Sequence, residues 1–297
     1  MLESLPKGTI RIKETERTYR YYVPSTVTPE TPAPLMISYH GAGSDAAYHS
    51  RLTGFAELAE EEGFIVLFPE ALEVTPGQPL SRQWNEDRKG SLAEEADIED
   101  IRFTEELLKK WKGYYTIDTE QIYATGFSNG ASFSLRAAIE LPGTFTGVGA
   151  VAGPLPEPLQ RKETNGLPPL VFIMGREDPV VPFSAEDANG EISYDIAGLL
   201  GARATVEWWT YQSASSWERK EERFAPRSLH DPTRVERHLY ETDTGQTAAA
   251  LYIIKGGGHT WPGGPKMQHP EFGRVSQQLD AGRTIWQMLQ SMSMADR

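Results

Sequence analysis

This sequence predicts an α/β fold: a mostly parallel central sheet with helices on both faces and an antiparallel hairpin at its N-terminal end. Three observations predict it. Six short apolar runs recur along the 297 residues: PLMISYHG (34–41), FIVLFPE (64–70), QIYATGFS (121–128), GVGAVAG (147–153), PLVFIMG (169–175) and ALYIIKGG (250–257). Near-continuous runs of this kind mark strands buried on both faces. Segments of helical period separate most of them, and alternation of strand and helix builds a parallel sheet. Near the start the period is two instead, in GTIRIKE (8–14) and RTYRYYVP (17–24), which reads as an antiparallel edge hairpin.

Taken in order, the hairpin closes at Pro24, and PSTVTPETPAP (24–34) connects it to the first buried strand. Helical periods follow around Leu52 to Glu62, Asp100 to Trp111 and Ala131 to Leu141, with a last one from Val275 to Leu289. The acidic cluster Ala96-Asp97-Ile98-Glu99-Asp100 is expected to start the second of these. There carboxylates satisfy free N–H groups and oppose the helix dipole, so a cation site is not expected. VEWWTYQ (206–212) reads as the end of a further helix, whereas SASSWERKEERFAPRSLHDPTRVERH (213–238) is polar and without clear period. No repeat or boundary divides the chain, so one domain over 1–297 is expected, with an insertion or lid-like segment at about 183–248.

Lys and Arg number 29 against 42 Asp and Glu, a net charge of −13. Such a surface repels phosphate backbones and anionic lipid, so neither nucleic acid nor a membrane is an expected partner. The absence of cysteine removes disulfides, thiolate metal sites and a cysteine nucleophile. MLESLPKGTIRIKE carries no basic stretch followed by an apolar one, and no apolar run approaches the roughly 18 residues of a membrane span. The chain as it stands reads as cytoplasmic, with secretion after removal of a leader as the alternative.

The chemistry is signalled by Gly126-Phe127-Ser128-Asn129-Gly130, a G-x-S-x-G between a strand and a helix. In such an elbow the serine sits on a strained backbone, and glycines on either side let strand and helix close around it. A serine hydroxyl is a poor nucleophile until a base takes its proton and a third group orients that base. The elbow therefore demands a carboxylate and then a histidine downstream, each just past a strand. Asp178 in PLVFIMGREDPVVP and His259 in ALYIIKGGGHTWPGG meet that demand. Acyl transfer also needs donors aimed at the developing oxyanion. The backbone of Asn129 and the glycine-rich His40-Gly41-Ala42-Gly43 loop are placed to supply them. His40 is expected as a structural hydrogen-bonder rather than a second base, and it joins Phe127 and Trp261 as the residues expected to border the substrate. Trp261, two positions after His259, is expected at the mouth of the site.

YHGAG, WNEDR, DIEDIRF, IYATGFSNGAS, MGREDPVVP and GGGHTWPGG together resemble the α/β-hydrolase family of polyhydroxybutyrate depolymerase-like, feruloyl and acetylxylan esterases, in register from about Arg17 to Gly264. The resemblance implies Ser128 as nucleophile, Asp178 as acid, His259 as base and an oxyanion hole at Gly41, Ala42 and Asn129. It also implies a serine carboxylesterase without cofactor or metal. Its partner would be a small or oligomeric ester, of plant cell-wall carbohydrate or of short hydroxyacid chains. A serine peptidase of the same fold and a non-catalytic binding protein are the alternatives. The cysteines of many secreted members are missing here, and residues 210–237 depart from the family pattern. His49, His230, His238 and His269 lack metal-ligand spacing and read as surface or loop residues. Trp208, Trp209 and Trp217 are at least as often packing as an aromatic platform.

Overall fold

The computed structural model describes residues 4–164, 166–184, 198–213, 216–266 and 269–294. Among these residues the sheet has ten strands, numbered β1 to β10 along the chain. The hairpin pairs β1 (Lys7–Ile12) with β2 (Thr15–Tyr22), and β2 continues antiparallel onto β4 (Ile65–Pro69). From β4 onward the sheet is parallel through β3 (Ala33–Tyr39), β5 (Ile117–Phe127), β6 (Gly147–Val151), β7 (Leu170–Gly175) and β10 (Thr247–Lys255). These six strands are the six apolar runs of the sequence. Each is covered on both faces, which removes the alternation a half-exposed strand would show.

Helices form the two covers. Phe103 and Leu107 of α4 (Asp100–Lys112), Phe133 of α5 (Asn129–Glu140) and Trp209 of α6 (Ala202–Ser213) pack on one face with Leu35, Ile37 and Tyr39. Leu52 of α1 (Ala46–Thr53), Phe55 of α2 (Phe55–Glu62) and Ile285 of α7 (Ala281–Met294) pack on the other face with Met36 and Val66. A single turn, α3 (Leu92–Glu95), lies between β4 and α4. The period-two split of β3 between the covers is the pleat itself. The last helix starts at Ala281 rather than Val275, because Ser276, Gln277 and Gln278 are taken up by side-chain bonds to the loop at Asp231 and Thr233.

The stretch expected as an insertion or lid-like segment is, where it is described, mostly regular elements joined by short loops. It holds α6, then β8 (Trp217–Arg223) and β9 (Arg234–Thr242), an antiparallel hairpin that extends the sheet beyond β10. The sequence hid β8 because it is an edge strand exposed on both faces, so WERKEER has no apolar face to read. Residues 185–197 of that segment lie outside the described residues. Because β3, β5, β7 and β10 run parallel, the loops after Tyr39, Phe127, Gly175 and Lys255 all emerge at one edge. Among the described residues no helix is long and apolar enough to cross a membrane.

Candidate active site

The strand-to-helix turn from β5 into α5 carries Ser128 at φ 55° and ψ −127°, a strained conformation for a residue with a Cβ. Its frame holds it there: Ser128 N–H donates to the Val151 carbonyl (2.8 Å), and the Ser128 carbonyl accepts from Ala131 N–H (2.8 Å). Both flanking glycines are obligatory for space. A Cβ on Gly126 would lie 2.2 Å from the Gly130 oxygen, and one on Gly130 would lie 2.3 Å from the Tyr39 oxygen. Strand, elbow and helix therefore touch backbone to backbone.

Asp178 follows β7 and turns back on the chain. Its Oδ1 accepts the N–H groups of Val180 and Val181 (both 2.8 Å), which leaves Oδ2 for the ring of His259. His259 follows β10 on a loop pinned by Gly258 N–H to the Arg274 carbonyl (3.0 Å) and His259 N–H to the Phe272 carbonyl (2.7 Å). Its Nδ1 lies 2.8 Å from Asp178 Oδ2 and its Nε2 lies 2.9 Å from Ser128 Oγ. A carboxylate at Nδ1 selects the tautomer with the proton there, so Nε2 accepts from the serine hydroxyl. Asp178 and His259 are both buried, and Phe127 packs its ring against His259 at 5.1 Å. The order and spacing read from the sequence thus close into a hydrogen-bonded chain.

The loop after β3 lies alongside. A Cβ on Gly41 would sit 3.4 Å from Ser128 Cβ, so its backbone approaches the serine as closely as packing allows. Among the described residues neither Ala42 N–H nor Asn129 N–H donates to a protein acceptor. Two unspent donors beside a serine hydroxyl are what an oxyanion site requires.

Other residues sit elsewhere than expected. Trp261 is not at a mouth: it is 2 % exposed and packs edge-on against His49, Phe55 and Phe127 beneath the site. His40 is fully buried and cannot meet a substrate. Its Nδ1–H donates to the Gly41 carbonyl (2.8 Å) and its Nε2 accepts from Ala71 N–H (3.0 Å), the structural role. Burial holds it neutral, with a pKa lowered to about 4. His49 in α1 and His238 in β9 are buried too, against the expectation of surface or loop positions. His49 Nε2 bonds Ser38 Oγ (2.9 Å), and His238 Nε2 bonds Glu236 Oε1 (2.8 Å). Glu221, Glu236 and His238 place ligand atoms within 4.8 Å of one another, but Lys255 and Arg223 already pair with Glu236. Trp209 is core, its indole N–H bonded to the Pro168 carbonyl (2.7 Å).

The acidic cluster does begin α4, but not through a cap. Glu99 makes no cap bond, and Asp100 turns inward to pair with Arg17 (2.7 Å) and to accept Asn85 N–H (2.8 Å). Sequence reasoning gave no role to Trp84, whose backbone and indole reach both Asn129 and His40. WNEDR was its only trace, since a loop tryptophan announces neither its direction nor its partners.

The sequence profile of the phospholipase/carboxylesterase family matches residues 23–207, more than half of the chain. The chain belongs to that family. As a phospholipase/carboxylesterase family member it is similar to NocK of Nocardia uniformis subsp. tsuyamanensis, named as an esterase. The two are 28% identical over 279 residues, covering 90% of this chain and 77% of that protein. It is 27% identical over 247 residues to feruloyl esterase B of Piromyces equi, covering 80% of this chain but only 41% of the longer relative. Among solved structures, esterase PE8 superposes with a TM-score of 0.53 at 20% identity, covering 91% of this chain and 99% of that one. That likeness shows the α/β-hydrolase fold. Family and relatives together support an ester hydrolase of the α/β-hydrolase type.

Proposed function

We propose that this family member is a serine carboxylesterase working through an acyl-enzyme, with Ser128, His259 and Asp178 as its triad. One observation carries the reading: the unbroken chain from Ser128 Oγ through His259 to Asp178, at 2.9 and 2.8 Å. Ser128 Oγ attacks the ester carbonyl carbon while its proton passes to His259 Nε2, and Asp178 stabilises the imidazolium it faces. The carbonyl oxygen becomes an oxyanion facing the N–H groups of Ala42 and Asn129. When the tetrahedral species collapses, the carbon–oxygen bond to the alcohol breaks and the alcohol leaves with the proton held by His259. Water then adds by the same route and releases the acid, returning Ser128 Oγ–H.

For substrate, the name of the Piromyces equi relative supports feruloyl esters, and the resemblance read in the sequence adds acetyl esters of cell-wall carbohydrate and short hydroxyacid esters as candidates. A panel of feruloyl, acetyl-sugar, short aryl and hydroxybutyrate esters ranks them by kcat/KM. Ser128→Ala run through the same panel should stay folded and lose about a thousandfold or more in kcat on every ester that turns over. Turnover near the parent value in that folded variant contradicts the assignment.

A further inference from the structure

The two oxyanion donors of the proposed site belong to unconnected parts of the chain, Ala42 in the loop after β3 and Asn129 in the first turn of α5. Both must lie about 2.7–3.1 Å from a single point, the position of the oxyanion. One residue is bonded to both parts. Trp84 N–H donates to Asn129 Oδ1 (2.7 Å), and the Trp84 carbonyl accepts from Asn129 Nδ2 (3.0 Å). On the other side the Trp84 indole Nε1–H donates to the His40 carbonyl (2.9 Å), directly ahead of Gly41 and Ala42.

Trp84 is itself immobilised. Its ring is fully buried, stacked on Phe133 at 5.2 Å and edge-on to Tyr39 at 5.1 Å. The next residue is held from three sides: Asn85 N–H donates to Asp100 Oδ2 (2.8 Å), Asn85 Nδ2 to the Ile98 carbonyl (3.1 Å), and Arg136 Nη1 to the Asn85 carbonyl (2.7 Å). Asp100 in turn is fixed by buried Arg17 at 2.7 Å. A tryptophan serving the core alone needs no such anchorage, and phenylalanine would fill much of the same space. The surplus is the indole N–H, and it is spent on the oxyanion loop.

We propose that Trp84 is a positioning residue that sets the width of the oxyanion hole, acting through Asn129 on one side and His40 on the other. The proposal rests on the serine-esterase reading above. It predicts a defect felt by the tetrahedral species and not by the bound ester, since only the former places an anion between the donors.

The test is Trp84→Phe, with Asn129→Ala approaching from the other side, the double variant, and Ser128→Ala alongside. Each is assayed for kcat, for KM and for affinity toward a trifluoromethyl ketone. Addition of Ser128 Oγ to that ketone, with the proton moving to His259, yields a hemiketal oxyanion that needs both donors. Folded Trp84→Phe should lose about 10- to 100-fold in kcat, the scale of a small misplacement of reacting groups. KM should hold within about twofold, and ketone affinity should fall by the same factor as kcat. The double variant should lose less than the product of the single losses, because both break one bridge. Parent kcat and ketone affinity in folded Trp84→Phe overturn the proposal, as does a rise in KM alone. If Trp84→Phe does not fold, the same criteria decide on Asn129→Ala. An inactive Ser128→Ala beside a fully active Trp84→Phe sinks only the role of Trp84. An active Ser128→Ala sinks the site reading, and this proposal with it.

Discussion

At the scale of single residues, the site is built from positions where one atom more would not fit. Gly130 shows it best: a methyl there would meet the Tyr39 and His40 oxygens at 2.3 and 2.4 Å. Neither oxygen retreats freely, since Tyr39 ends β3 inside the sheet and the His40 carbonyl holds the Trp84 indole N–H. Gly130→Ala should therefore destabilise the protein by about 1–3 kcal/mol or more, the range for overpacking a tight interior. Chemical denaturation measures it, and an unchanged midpoint and slope would contradict the close packing. The glycines, the serine and the order of its partners were legible in the sequence, because a strained elbow and strand-end loops constrain residue type. Trp261 was not legible in that way. Its place two residues after His259 suggested the mouth, yet the chain turns at that loop and drives the ring down onto Phe55 and Phe127.

Elements tell a parallel story. Every strand of the parallel run was legible, since burial on both faces forces a continuous apolar string. The β8–β9 hairpin was not, because β8 lies at the edge with both faces in water. Its charges have a function of their own. Lys220 pairs with Glu241 and Glu222 with Arg237 across the hairpin, while among the described residues no strand pairs with the outer row of N–H and C=O groups. Charged side chains are the usual guard on such an edge. Replacing Lys220 and Glu222 together by valine should accelerate aggregation, followed by light scattering at fixed concentration, while kcat of the freshly prepared protein holds. An aggregation rate equal to the parent's would assign the charges no guarding role. The loop between β8 and β9 reaches the catalytic edge and braces the chain after His259. The Asp231 carboxylate accepts Thr233 N–H (2.9 Å) and Gln277 N–H (2.6 Å), and Thr233 Oγ1 bonds Ser276 Oγ (2.6 Å). Part of the stretch expected as an insertion or lid-like segment therefore braces the chain that follows His259.

For the molecule as a whole, the two covers of the sheet carry a pH dependence that composition hides. Burial lowers His40 to about 4 and His49 well below the ordinary 6.5. Below about pH 6.5 the unfolded chain binds protons that these rings refuse, so each costs the protein stability as pH falls below 6.5, the loss from His40 levelling off near 4. Above 6.5 both states are neutral and the contribution is flat. Buried Glu86 and Asp100 are raised by desolvation and work in the opposite sense, so the difference between parent and variant isolates the histidine. His49→Gln should flatten the fall in stability between pH 6.5 and 4, read by denaturant unfolding at several pH values. Parallel curves for parent and variant would contradict a buried neutral ring. Whether a single activated serine at the meeting point of four strand ends performs the chemistry is open to a more direct measurement. Treat the folded protein with a fluorophosphonate and map the adduct by mass spectrometry while following esterase activity. One adduct per chain is expected on Ser128, growing in step with the loss of activity and absent from His259→Ala. Full inactivation with the adduct on another residue, or turnover that survives complete modification of Ser128, would contradict it.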